Sequence, residues 1–200
     1  MTKPSDFHPD LNEDHLTDVA KIIMNAYEDA SDSMLQEKGD TNWGLGCRRY
    51  EWARHSLRLA AGTTGYKFLS ILEDEGNKFT FMVGAVPMRF KRSDADNLDK
   101  SVFAQYRVEA AQLSLLSFAG ITHPCELSWR MIMDVDLFGE VIRAVFIGAT
   151  QDGVAKCFWE IPRAKLMGTP VVVLNSKEDG VELQPAKVTF KDAKDKKLSK

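Results

Sequence analysis

From Leu127 to Val135 the apolar positions Leu127, Trp129, Met131, Met133 and Val135 alternate with Ser128, Arg130, Ile132 and Asp134. A period of two predicts a strand with one buried face, the second set lying outermost. Asp152-Gly153 then signals a hairpin, because both residues tolerate the backbone that tight turns demand, and Phe138-Gly139 supplies a second break. Together they predict a three-strand meander over residues 127–162. In that register Asp134 faces Arg143, Val135 faces Ile142, Phe146 faces Trp159 and Gly148 faces Cys157. Trp129, Met131, Met133, Ile142, Phe146 and Trp159 then share one apolar face, and a slip of one residue would turn them away from it.

Upstream the period changes to that of a helix. Leu16, Val19, Ala20, Ile23, Tyr27, Ala30 and Met34 form a stripe after the capping candidates Asn12 and Asp14, with Gly39 as the stop. A second helix is predicted from Thr41 or Asn42 to Ala61, ended by Gly62 and Gly65, with Trp43, Cys47, Tyr50, Leu57 and Ala61 inward. Two strands follow, over 66–73 and 78–89, with Pro87 marking an edge or an exit from the ladder. A third, well-buried helix is expected over 98–118, and Val171 to Leu174 suggests one last short strand. The order of elements reads as α+β: an antiparallel sheet of about five to six strands with helices packed on one face.

A chain of 200 residues with 44% hydrophobic positions can bury one core. The expected layout is a flexible N-terminus over 1–11, a single domain over 12–175 and a flexible charged tail over 176–200. With 26 basic and 29 acidic residues the formal charge is -3, which excludes a global basic footprint for nucleic acid. There is no apolar signal core and no run of about 18 apolar residues, so neither export nor membrane insertion is expected. The three cysteines are odd in number and widely spaced. A disulfide framework is therefore not expected, and a cytoplasmic location is.

Candidate chemistry is sparse. Asp134 and Asp136 place two carboxylates on one strand face, as a divalent metal would need, although a cross-strand pair between Asp134 and Arg143 is the competing use. Cys125 follows His123, yet a catalytic base usually comes from elsewhere in a fold. Gly62-Thr63-Thr64-Gly65 lacks the Lys-Ser or Lys-Thr of a phosphate loop. The second helix carries Arg48, Arg49, Arg54 and Arg58 with Trp52, and the 78–89 strand leaves through Arg89 and Phe90 into Lys91-Arg92. Arginine and aromatic groups are enriched at protein interfaces, and the same groups can contact phosphates or stack on bases. The leading expectation is a non-catalytic protein-binding module, a regulator, adaptor or neutralising partner, using Arg48, Arg49, Trp52, Arg54, Arg58, Arg89 and Phe90. No cofactor is called for. Two alternatives stay open: a metal-dependent hydrolase or nuclease built on Asp134 and Asp136, and nucleic-acid binding through the second helix.

Overall fold

Asn12 starts the first helix as a cap, its side chain accepting a hydrogen bond from the Asp14 N–H at 2.8 Å. The computed structural model describes residues 3–118, 127–136 and 140–166. Helix α1 (Glu13–Asp32) buries the predicted stripe from Leu16 to Ala30 and ends at Asp32, seven residues short of Gly39, so that Met34 falls beyond it and is only partly buried. Helix α2 (Asn42–Ala61) is capped by Thr41, whose hydroxyl accepts from the Gly44 N–H, and stops at Gly62. Its buried line is Leu45, Arg49, Ala53, Leu57 and Ala60. The apolar positions Trp43 and Cys47 are exposed instead, whereas the small Ala53 and Ala60 are buried and Arg49 finds a polar partner in Ser31 of α1.

Six strands form one sheet in chain order: β1 (Leu69–Glu75), β2 (Lys78–Val83), β3 (Val86–Arg92), β4 (Ser128–Val135), β5 (Val141–Ala149) and β6 (Ala155–Glu160). All neighbours are antiparallel except β3 and β4, which run parallel from Met88/Trp129 to Arg92/Met133. The long strand expected over 78–89 is therefore two strands joined by Gly84-Ala85. Gly84 has φ +58, as the first central residue of a type II′ hairpin turn requires. Asp10 pins this turn by accepting from the Ala85 N–H at 2.8 Å. Pro87 sits in the second residue of an interior strand, before the β4 ladder begins, where its missing N–H costs no bond of that ladder.

The meander keeps the predicted pairs Asp134/Arg143, Phe146/Trp159 and Gly148/Cys157. An irregularity after Asp134 pairs Val135 with Val141 rather than Ile142. Val141, partly buried, packs against the core in its place, and Ile142 is left 47% exposed. Trp129 is fully buried, stacked on Phe146 at 5.2 Å between ring centroids, whereas Trp159 is half-buried.

Helices α1 and α2 cover the face bearing Phe81, Met88, Trp129, Met131 and Phe146. The face expected to be outermost is covered as well. There Ile132, Val145 and Ile147 pack with Val102 and Phe103 from a 3₁₀ turn (Lys100–Phe103). That turn and the shorter helix α3 (Arg107–Phe118) replace the single helix expected over 98–118. Arg130 is fully buried, donating to Glu109 of α3 and to the carbonyls of Val102 and Ala104. In the segment before α1, Pro4 and Leu11 are buried, and Phe7 meets Trp129 edge-on at 5.6 Å. A last turn of helix, α4 (Arg163–Leu166), returns Leu166 to the core. The strand expected over 171–174 and the tail after it lie outside the described residues.

Candidate functional site

Most arginines of α2 already have partners within the chain. Arg48 donates to the Ser33 carbonyl and hydroxyl and to both oxygens of Asp40, at 3.0 to 3.2 Å. Arg54 is bonded to the Asp74 carboxylate and, at 3.0 Å, to the Gly76 carbonyl. Arg58 reaches the same Asp74 at 3.3 Å. Trp52 is 38% exposed on the outer side of the helix. Phe90 is core, packed between Tyr50 and Phe79.

Arg49 and Arg89 belong to a different arrangement, formed where the sheet splits. The β2–β3 ladder runs only from Phe81/Met88 to Val83/Val86, while β3 goes on to pair with β4 as far as Arg92. Beyond Met88 the strands splay, and a cavity of about 230 Å³ fills the gap. Arg49 enters from α2, and Arg89, Lys91 and Arg92 come from β3. Tyr27, Tyr50 and Tyr106 supply walls, with Phe79 and Phe90 at the base. A shallower depression adjoins it, sharing Gly46, Tyr50, Asn77 and Arg92 and adding Trp43 and Cys47; Trp43 is 80% exposed.

The cations of this cleft are poorly compensated. Arg49, only 3% exposed, donates to the Ser31 hydroxyl at 2.6 and 3.2 Å and lies 5.8 Å from the Tyr27 ring centroid. Burial lowers its guanidinium below the ordinary value, and Arg92 pushes the same way against Glu140 and Asp136. Burial likewise lowers Lys91, assisted by Arg89 and Arg130 and opposed by Asp99. Arg89 stacks 3.7 Å over Tyr106 and shares Glu109 with Arg130. Among the described residues no carboxylate lies within ion-pair distance of Arg49, Lys91 or Arg92. Burial raises Tyr27 to about 12 and raises Tyr50 too, so both hydroxyls stay protonated near neutral pH. The described lining of the cleft is cationic and aromatic, chemistry that an anion would complement.

The other candidates are placed elsewhere. Asp134 accepts from Arg143 at 2.7 Å and from the Ala95 N–H at 3.4 Å, while Arg143 also donates to Asp96. Asp136 closes the end of the hairpin through its main chain and side chain to Glu140. Among the described residues no three His, Cys, Asp or Glu side chains gather as a metal site. Cys157 is a buried thiol pushed up to about 12 by burial, and Cys47 is exposed. His123 and Cys125 lie outside the described residues. Sequence reasoning named the run through Lys91-Arg92 but placed only Arg89 and Phe90 among the site residues, and it missed Tyr27, Tyr50 and Tyr106 there. The run Arg89-Phe90-Lys91-Arg92 carried the signal, since three cations beside one aromatic in a strand need an anion or solvent. No protein-family model, curated protein or solved structure matches this chain.

Proposed function

We propose that this chain is a non-catalytic protein-binding module, a regulator, adaptor or neutralising partner, which holds an acidic group of its partner in the cleft between α2 and the splayed β2 and β3. The observation that carries this reading is a buried arginine, Arg49, lining a cavity with Lys91 and Arg92 and with no carboxylate partner among the described residues. Like charges confined in a low-dielectric gap repel one another, and an incoming anion relieves that repulsion. Tyrosine and arginine around the site are the residue types that anchor protein interfaces. The arginines of α2 outside the cleft support it less as a contact surface, since Asp40 and Asp74 already hold them. The same pairing weakens the nucleic-acid alternative, and Asp134's bond to Arg143 draws one carboxylate away from a hydrolase site.

Calorimetric titration with poly-L-glutamate tests the reading. The Lys91→Gln, Arg92→Gln double variant should bind at least about tenfold more weakly at an unchanged melting temperature, as expected when charge-assisted hydrogen bonds are lost. Equal affinity in the two proteins would remove the cleft from the interaction.

A further inference from the structure

The charge in the cleft exceeds what one carboxylate can offset. Arg49, Arg89, Lys91 and Arg92 line it, and Arg130 lies directly behind Arg89 as its β-ladder partner. Against these five cations, Glu109 is the one carboxylate within 4 Å among the described residues, at 2.5 Å from Arg130 and 3.8 Å from Arg89. Asp136 and Glu140 act on Arg49 from farther away, as Asp99 does on Lys91. A glutamate side chain brings a single charge and two oxygens. A phosphate monoester brings about 1.5 to 2 charges at pH 7 and three acceptor oxygens, which suits several donors converging from two sides.

The donors differ in a useful way. Arg92 carries a planar fork suited to two oxygens at once, Lys91 is a compact point charge, Arg49 keeps one terminal nitrogen beyond the two that Ser31 receives, and the protonated hydroxyl of Tyr27 adds a neutral donor, while that of Tyr50 already donates to the Asn77 carbonyl. Size narrows the choice further. The cavity's 230 Å³ falls below the roughly 300 to 1,000 Å³ of pockets that enclose whole small-molecule ligands, so it admits one terminal group. A diester inside a nucleic-acid strand has chain leaving on both sides and a single charge, and fits that shape less well. The Tyr50 ring, backed by Phe79 and Phe90, would pack on the carbon stem of the arriving side chain.

We infer that the cleft is a phosphate-monoester site, taking the phosphorylated side chain of a protein partner. This inference rests on the acidic-partner reading above and specifies its ligand. Calorimetry on the full chain tests it with one short glycine-flanked peptide carrying either phosphoserine or glutamate at its centre, with inorganic phosphate as competitor. Expected is at least about tenfold tighter binding of the phosphopeptide, displacement by phosphate, and about a tenfold loss in Arg92→Gln. Arg92 is exposed at a strand end, so the variant should melt as the wild type does; Lys156→Gln, on β6 and away from the cleft, serves as control with unchanged affinity. Should Arg92→Gln melt early, Arg92→Lys, which keeps the charge and loses the fork, is expected to fall between the two. Equal or tighter binding of the glutamate peptide would overturn the phosphate inference while leaving the acidic-partner reading in place. No binding of either peptide would overturn both. A single-stranded oligonucleotide without terminal phosphate that outbinds the phosphopeptide would overturn the inference in favour of nucleic acid.

Discussion

Gly148 and Trp129 are paired across β4 and β5, and the indole lies over the space a side chain at 148 would fill. A Cβ there would stand well inside the ring's van der Waals contact distance. The tryptophan is held on its other side by Phe146 and at its edge by Phe7, so it cannot swing away cheaply. Trp129→Ala should therefore cost about 3 to 5 kcal/mol, read as a shifted urea midpoint, and half-buried Trp159→Ala should cost clearly less. Gly148→Ala should cost about 1 to 3 kcal/mol by overpacking. Placed in the Trp129→Ala background, the same glycine change should lose most of that cost, because the added methyl then enters the vacated space. Additive costs in this double-mutant cycle would show that the two positions do not touch.

At the scale of elements, one carboxylate ties α2 to the sheet. Asp74 of β1 receives both Arg54 and Arg58, one helical turn apart, which fixes the rotation of the helix over the strand. Asp74→Ala should cost about 1 kcal/mol, as partly exposed ion pairs do, and should raise amide exchange in the second half of α2 more than in α1. Equal exchange in both helices would assign the helix's position to its apolar contacts alone. Both ends of α2 and the meander's register, apart from the shift after Asp134, were legible in the sequence, because Thr41, Gly62 and the alternation around Trp129 act locally. The buried side of α2 was not. Apolarity ranks Trp43 above Ala53 and Arg49, but small side chains let helices approach and a buried arginine needs only polar groups such as Ser31, facts that belong to a neighbouring element. The strand break at Gly84 was hidden for a similar reason: Val83 and Val86 continue the strand composition on both sides of the turn. The cleft was half legible, through Arg89 and Phe90. Its tyrosines come from α1, α2 and the segment before α3, and no single stretch of sequence shows them together.

For the molecule as a whole, two antiparallel three-strand meanders meet in the parallel β3–β4 seam. Apolar packing holds one side of that seam, through Met88, Phe90, Trp129 and Met131. The other side adds to the cluster of Ile132 with Val102 and Phe103 a fully buried ion pair, Arg130 with Glu109. Breaking such a pair leaves a charge without compensation, so Glu109→Gln should cost about 3 to 5 kcal/mol, and Arg130→Met with Glu109→Leu should recover much of it. Circular dichroism and tryptophan fluorescence should still report one coincident urea transition in the single variant. Separate transitions would mean that the meanders hold together independently and that the ion pair serves only to dock them.

The seam also has a consequence for synthesis on the ribosome. Met88 meets Trp129, 41 positions later in the chain (129 − 88). At about 5 to 20 residues per second, the β4-facing edge of β3 waits roughly 2 to 8 s for its partner strand. An unpaired strand edge is a template for joining another nascent chain, and charged side chains on such an edge are the usual deterrent. Arg89, Lys91 and Arg92 stand on that strand. The cations that crowd the finished cleft thus guard the half-made sheet, and replacing them by apolar residues to relieve their repulsion would exchange a more stable native state for a chain that aggregates while it is being made.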